Sequence, residues 1–580
     1  MLSNNTQINE ANVINELMTA KYNELLNSST VDQLMDMLTD EGHTLANVEE
    51  HELIVTSLKD DMEVYSKLLE MTTKRIVMSG IRQLPLLVLV NILAETLHGR
   101  KFSNRMRIAA TIVRFLEVSD AFHIVVITNK DGHDERIITL GYTLSQAIQI
   151  ELSTKQYNRT LSEVPRTASG KTVGHNKKIK ADNTHMLPLL DKLNSTGYTL
   201  DARVWEKFKY ELAAYRFEDM EIQKTMVTEG DKLIGKVFYF SHKFGDDNGR
   251  IYCEGDLFTL HGGALNYVFK FADKRTPSTK GLARLRTKVA ELESELDTLS
   301  FKERVEYYSL SLDLIDAEAG KPIGTILHVD AKLSGLQHQC IATRNKSEAV
   351  YCGLLSTLKD GYGHLKSKLS NGADLSRQQV KDAYNPYQYG AGRESTCEPV
   401  LETGGKLDFK EWEKAYQKSF PNAFKLRAFL LSTAKSYKAD VFRYTTASGF
   451  NAVITALGTE IDYVVTCYGK LKYERKEIDA KHMGVKLVAA FSHMLDASAL
   501  HYVASRANFD LHLIHDSFGA HPNDVDKVEY LYISALQEHL VRPILKDFIS
   551  HIVGDKVAEV NVSRMLDNTL TPSDIVNGLY

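Results

Sequence analysis

The stretch Ile326-Leu-His-Val-Asp330-Ala-Lys-Leu-Ser334-Gly335-Leu-Gln337-His338 opens as an apolar, strand-like run and ends that run on an aspartate. Far along the chain, Leu511-His-Leu-Ile514 delivers a second aspartate within His515-Asp516-Ser517-Phe518-Gly519. Two carboxylates brought to strand ends in this way are expected to meet and to hold magnesium, which takes one or two carboxylates together with substrate phosphates. Two Mg2+ ions about 3.5–4 Å apart activate an attacking oxygen and stabilise the leaving one, so the pair predicts phosphoryl transfer. After Asp330, the small residues Ser334 and Gly335 are expected to let the chain bend sharply into a helix carrying Gln337 and His338. A lone aspartate at a strand end is ordinarily a cap or turn residue. The second one, in a hairpin-like pattern that resumes at Phe518, is what argues for a site.

Between the two lies Arg377-Gln-Gln-Val-Lys381-Asp-Ala-Tyr384-Asn-Pro-Tyr-Gln-Tyr389-Gly390. Arg377, Lys381, Tyr384 or Asn385, and Gln388 or Tyr389 fall on one helical stripe at spacings of three and four. Such a stripe suits a triphosphate and a nucleobase, or is a solvated basic face. Pro386 is unfavourable inside this helix, because it removes a hydrogen bond.

The 580 residues suffice for roughly two to four domains. A net charge of −5 excludes a wholly basic nucleic-acid coat protein and confines any nucleic-acid surface to part of the molecule. Five cysteines without zinc-type spacing read as reduced thiols of a cytoplasmic protein. The N-terminus carries no basic, apolar or Arg-rich targeting pattern. The run from Leu84 to Leu97, broken by Asn91 and Glu95, reads as a buried helix and not as a membrane span.

Residues 9–97 show helical spacing, and a β-hairpin is expected at Phe122–Thr128 and Arg136–Leu140 around a Lys-Asp-Gly turn. That hairpin suits insertion between DNA strands or a structural ribbon. Arg166, Lys171, Lys177, Lys178 and Lys180 lie in a loop-like stretch without acids, suited to phosphate contact or to a solvated linker. Gly170-Lys171-Thr172 is no P-loop, since Pro165 stands where its first glycine is required. The composition shift places a domain boundary near residue 185. Beyond it, Asp246-Asp-Asn-Gly249-Arg250-Ile-Tyr252 is a turn whose arginine suits a nucleic-acid backbone or triphosphate, or an ordinary surface turn. Lys288–Leu299 reads as a solvated amphipathic helix.

Taken in order, these segments resemble the A, B and C motifs of the single-subunit DNA-dependent RNA polymerases of bacteriophage and mitochondrial type. Asp330 with Ser334–His338 is similar to the family's DxxxSGxQH. Arg377, Lys381, Tyr389 and Gly390 match its Rx3Kx7YG, and His515–Gly519 its HDSFG. Asp246–Tyr252 is similar to DxRGRxY with Asn248 for the first arginine, and Asp360-Gly-Tyr362-Gly363 to DxYG. Tyr444–Phe450, Glu477–Ala480 and Phe491-Ser-His493-Met-Leu-Asp496 follow the run between motifs B and C. The likeness covers residues from about 187 to the C-terminus. Thr298 stands where the family has a lysine, an insertion of relatives is missing, and residues 1–185 match nothing in the family.

The resemblance implies an α+β, predominantly helical right-hand polymerase with palm, fingers and thumb, a small antiparallel palm sheet and a reduced helical N-terminal domain. It implies an N-terminal domain over 1–185 with promoter or template contacts, and a polymerase domain over 186–580. Asp330 and Asp516 would hold two Mg2+ ions, while Lys381 and Arg377 hold the triphosphate and Lys381 protonates the pyrophosphate. Tyr389, followed by Gly390, would stack beneath the templating pair and sense the sugar. Tyr362 and His515 would line the nucleotide site, His493 would check the minor-groove edge of the new pair, and Arg250 would carry over as a substrate contact. Tyr580 resembles an aromatic tail tucked toward the active site.

Tyr463–Lys476 alternates like a hairpin, and its place in the family is the promoter-specificity hairpin, here 460–476. Lys470, Lys472, Arg475 and Lys476 are its DNA-contact candidates, against a plain structural ribbon. DNA polymerases sharing the palm carry a glutamate in motif A that blocks a 2′-hydroxyl, and HDE in motif C. This chain has neither, which favours ribonucleotides. The expected activity is DNA-templated RNA synthesis, of bacteriophage genes in a host cytoplasm, with template, nascent RNA and ribonucleoside triphosphates as partners and no membrane. An accessory protein would open promoters. The alternatives are a DNA polymerase or primase on the same palm, and a non-catalytic DNA-binding factor.

Overall fold

The computed structural model describes residues 161–173, 181–214 and 220–579, apart from 255–257, 467–468 and the single positions 262, 371, 438, 456 and 479. Ahead of these it describes the strands Gln83–Pro85, Phe122–Thr128 and Asp134–Leu140 and scattered helical positions from 86 to 113. Residues 9–82 and 174–180, where sequence spacing predicted helices and part of the basic loop, lie outside the described residues. Helices dominate the architecture, which is α+β. Its sheets hold two or three strands each, and among the described strand pairs only Thr172–Val173 beside Phe244–Gly245 is parallel. Among the described residues no helix is long and apolar enough to cross a membrane, and Cys253, Cys340, Cys352 and Cys397 are free thiols.

Two compact units divide the chain, Met1–Tyr157 with Thr459–Glu477, and Asn158–Gly458 with Ile478–Tyr580. In the first, the expected hairpin is present, pairing Phe122 with Leu140 through to Thr128 with Asp134. Gln83–Pro85 adds a third strand. Pro85, which has no N–H to give, sits on the edge of that sheet, where a proline is tolerated. The buried helix expected from Leu84 therefore starts after this strand, with Leu86, Val90 and Ala94 buried at helical spacing. The strands Leu457–Thr466 and Gly469–Ile478 form a two-stranded ribbon where the 460–476 hairpin was expected. The side chains of Lys470, Lys472, Arg475 and Lys476 lie outside the described residues.

The second unit begins earlier than the composition shift near residue 185. Ser162 bridges Tyr239, Thr172–Val173 pairs with Phe244–Gly245, and Asn194 Nδ2 donates to the Arg166 carbonyl at 3.0 Å. These bonds tie 162–173 to the body that follows.

Within this unit the key elements are β1 (Leu327–Asp330), α1 (Ser334–Thr343), α2 (Arg377–Gln388), α3 (Ala480–Arg506), β2 (Leu511–Ile514), β3 (Ser517–Ala520) and α4 (Val525–Val541). The antiparallel sheet has β3 in the middle, with Leu327 opposite Ala520, Asp330 opposite Ser517 and Ile514 opposite Ser517. Gly519 is needed at its centre, since a Cβ there would come within 2.5 Å of Ile326 Cγ2.

The bend after Asp330 is made differently from the expectation. Leu333, with φ 49°, takes the left-handed conformation, which costs a Cβ-bearing residue roughly 1 kcal/mol or more. Gly335 serves close packing instead, because a Cβ there would lie 2.2 Å from Gln388 Oε1 on α2. Gln337 is buried and fully engaged. Its Nε2 donates to the Cys352 and Gly578 carbonyls, each at 2.8 Å, and its Oε1 accepts from the Tyr532 hydroxyl on α4 at 3.0 Å.

Helix α2 starts on a capping box, with Ser376 Oγ accepting from the Gln379 N–H and Gln379 bonding back. Pro386 falls in the last turn, where the helix is already ending, so the difficulty it raised is confined to one missing bond. Tyr384 and Gln388 face inward and are buried, whereas Arg377 and Lys381 are exposed and Tyr389 closes the helix as its C-cap. The stripe therefore runs through Asn385 and Tyr389.

Replacing Gln337 by Glu would set a carboxylate against two carbonyl oxygens. Gln337→Glu is expected to lower unfolding free energy at pH 7 by about 3 kcal/mol or more. Urea denaturation checks this, and an unchanged midpoint would show that the amide is not committed to those carbonyls.

Candidate active site

The sheet register decides the position of the two aspartates. Asp330 pairs with Ser517, the neighbour of Asp516, and the Ala331 N–H donates to the Asp516 carbonyl at 3.2 Å. Residues 186 positions apart in the chain thus share one end of one sheet. Asp516 occupies the two-residue turn between β2 and β3. Its turn partner His515 has φ 53°, a conformation that usually falls to glycine.

Asp330 is exposed and Asp516 partly buried. Burial, the buried Asp496 and Asp330 push the Asp516 carboxyl up to about 6, against the pull of a hydrogen bond from the Ser334 side chain. Asp496 is itself pushed up by burial and pulled back by Arg250. Arg250 Nη2 and Nε reach the same Asp496 oxygen at 2.8 and 3.2 Å. Its turn is therefore neither a surface turn nor a free anion contact. Gly249 has φ 75°, and a Cβ there would meet the Phe450 ring at 2.9 Å, so the turn packs tightly and directs Arg250 inward.

Around this pair stand neutral rings. The Tyr389 and His493 rings meet at 4.7 Å with their planes 61° apart. Burial, with Asp496 adding to it, raises the Tyr389 phenol, while burial and Arg250 hold His493 well below its ordinary value. His515, lowered to about 4 by burial and Arg250, lies 5.6 Å from the Tyr252 ring and 5.3 Å from that of His261. His338 is buried with no partner for either nitrogen and is pushed down to about 3. Tyr362 is edge-on to Tyr384 at 5.5 Å, and the Arg377 guanidinium lies 5.0 Å from the Tyr362 ring. Burial raises Tyr362 to about 12, with Asp516 among the groups acting on it. Arg377 also approaches Asp360 at 3.6 Å. Gly390, with φ 93°, turns the chain after Tyr389.

Most of the residues singled out in the sequence therefore converge on one face, with Lys381 exposed on α2 beside them. Leu579 bridges Ala331, the residue after Asp330, whereas Tyr580 lies outside the described residues. Asp496 was quoted in a motif but given no role. The signal was there, in one acid set within the apolar and small-residue run Phe491–Ala504 of α3.

Among the described residues no group of three or more His, Cys, Asp or Glu forms a metal-holding cluster. Two crowded carboxylates still fit a hard cation that completes its shell with water and phosphate oxygens, whereas zinc would require nitrogen or sulfur ligands. Burial, with Asp496 and Asp330 adding to it, disfavours the ionised form of Asp516, and a nearby cation would favour it. No family model and no curated protein matches the chain.

A carboxyl whose folded pKa exceeds its ordinary 3.8 costs stability once ionised. Below about pH 4 Asp516 is protonated whether folded or not, and above about pH 6 the fold carries the full charge. Asp516→Asn is thus expected to stabilise the magnesium-free protein by on the order of 2 kcal/mol at pH 8. That gain should fade through the window from 6 to 4. Thermal melting in EDTA across this range checks it, and a gain independent of pH would exclude the charge as its cause.

Proposed function

We propose that the chain is a DNA-directed RNA polymerase that extends RNA by nucleotidyl transfer on a DNA template. One observation carries this reading. Asp330 and Asp516 meet at the end of the β1–β3–β2 sheet while α2 sets Arg377, Lys381 and Tyr389 along the same face. In this reading the three-stranded sheet is the palm and α2 belongs to the fingers of a right-hand polymerase.

Asp330 and Asp516 would hold two Mg2+ ions through their carboxylates, Asp516 once ionised, and the ions would supply positive charge to the attacking and leaving oxygens. Arg377 and Lys381 bind the triphosphate, the arginine through its planar fork and the lysine as a point charge. Lys381 gives a proton to the departing pyrophosphate oxygen. Arg250 is held by Asp496 and so keeps a fixed place beneath the nucleotide. Tyr389 stacks under the templating pair, and its hydroxyl, protonated at neutral pH, offers a hydrogen bond to a ribose 2′-OH. His493, edge-on to Tyr389 and uncharged, reads the minor-groove edge without attracting phosphates. Catalysis is then positioning plus charge stabilisation, as in other phosphoryl transfers.

Ribonucleotides are preferred in this scheme because no acid stands between Ser334 and His338 to block the space of a 2′-hydroxyl, and the Gln337 amide is occupied by two carbonyls.

Extension of a primed DNA template by the purified chain, with ribo- or deoxyribonucleoside triphosphates and Mg2+, tests the proposal. Ribonucleotide-dependent extension is expected. Asp516→Asn should lower the rate about 10³-fold or more, roughly 4 kcal/mol of barrier, with DNA binding retained. A variant as active as the parent would remove Asp516 from the chemistry. Tyr389→Phe should narrow the preference for ribonucleotides, and an unaltered ratio would place the sugar sensor elsewhere.

A further inference from the structure

Away from the aspartates, a cavity of about 420 Å3 opens between the helix Leu187–Asn194, the loop around Ser448, and helices α3 and α4. Helix α3 gives it one stripe, Ser498, His501, Tyr502 and Ser505, at the helical spacing of three and four. Lys192, Arg506 and Arg542 line it together with a single carboxylate, Glu538, and the Lys192 ammonium donates to the Ala504 carbonyl at 2.6 Å. In a chain of net charge −5 that is a local excess of positive charge.

Two polar groups in its wall are buried without use. Ser498 is 2 % exposed and His539 4 % exposed, and neither Ser498 Oγ nor His539 Nδ1 meets a hydrogen-bond partner within the protein. Such groups cost free energy unless something enters to pair with them. Burial keeps His539 uncharged, so it presents a hydrogen-bonding ring and not a further cation. Arg506 lies over the Tyr502 ring at 3.5 Å, which holds an exposed guanidinium at the rim in one orientation. Arg542 is paired with Glu538 and donates to the Ala447 carbonyl at 2.6 Å.

We propose that this cavity is a second phosphate-binding site, in which Arg506 and Arg542 meet the anion at the rim and Ser498 and His539 hydrogen-bond it from the wall. Guanidinium forks with neutral hydroxyl and imidazole partners are the chemistry that recognises a phosphate group. The phosphate belongs either to a small free compound or to the backbone of a nucleic-acid strand. His501 links this wall to the turn that carries Arg250. Its Nε2 lies 2.9 Å from the carbonyl of Gly249, immediately before Arg250, and its Nδ1 lies 2.8 Å from Ser448 Oγ. The inference does not rest on the nucleotidyl-transfer reading, since none of the phosphate-contacting residues belongs to the two-aspartate site.

The experiment titrates the full chain in EDTA, which silences magnesium-dependent binding at the aspartates, with inorganic pyrophosphate and with a short single-stranded RNA oligonucleotide. Arg506→Gln combined with Arg542→Gln should weaken binding about tenfold or more. Ser505→Glu, an exposed change that brings a negative charge to the cavity, should do the same and keeps the test open if the double variant fails to fold. Lys381→Ala should leave this binding unaltered. Pyrophosphate binding that responds to the cavity variants identifies a free phosphate compound as the occupant, and a response confined to RNA identifies a strand. The proposal is overturned if neither probe binds, if the cavity variants bind as tightly as the parent, or if Lys381→Ala abolishes the binding.

Discussion

Negative charge forced into a small space is the constraint on which the rest of this structure depends. Asp330, Asp496 and Asp516 all act on the same neighbourhood, and like charges at close range in a partly buried setting repel by several kcal/mol. The fold answers with main-chain geometry, since the register of β1 on β3 and the tight turn at His515 hold the backbones of Asp330 and Asp516 side by side. Arg250 neutralises Asp496 at 2.8 Å, and in the proposed reading the charge remaining on Asp330 and Asp516 is what would draw cations to the face.

The surrounding helices read as supports for that arrangement. Helix α1 is anchored at Gln337 by two carbonyls and the Tyr532 hydroxyl, and Gly335 lets it press against Gln388 of α2. Helix α3 brings His493 and Asp496 to the face on successive turns and continues to the cavity lined by Ser498 and Ser505. Because His338, His493 and His515 are all held neutral by burial, positive charge on the face comes only from arginine and lysine. The positive part of the field there is consequently insensitive to pH near neutrality, and titration of the face falls to Asp516 at about 6.

Much of the site was legible because its residues are local in sequence. A strand ending on an aspartate, a basic stripe at helical spacing and a tight His-Asp turn each declare themselves within about a dozen positions. What stayed hidden depended on partners remote in the chain. Gly335 looked like a flexible joint, and only Gln388 on another helix reveals it as a contact point, while the joint itself fell to Leu333, which nothing in the local sequence marks. Arg250 looked available to a ligand until Asp496 appeared beside it. The boundary near residue 185 misled for the same reason. A polar, Gly- and Lys-containing stretch looks like a linker, yet two residues of it are fixed by pairing with a strand some 70 positions on.

The sheet that joins Asp330 to Asp516 also has a kinetic meaning. Pairing Leu327–Asp330 with Ser517–Ala520 closes a very long loop, and the entropic toll of loop closure falls before any contact in the sheet repays it. Helices such as α2 and α3 can form from neighbours in sequence, whereas this sheet waits for segments far apart to find each other, the kind of contact that slows folding. A partly folded chain would therefore be rich in helix and compact while its aspartates are still apart. Only the molecule that has completed this distant pairing would have its two aspartates side by side.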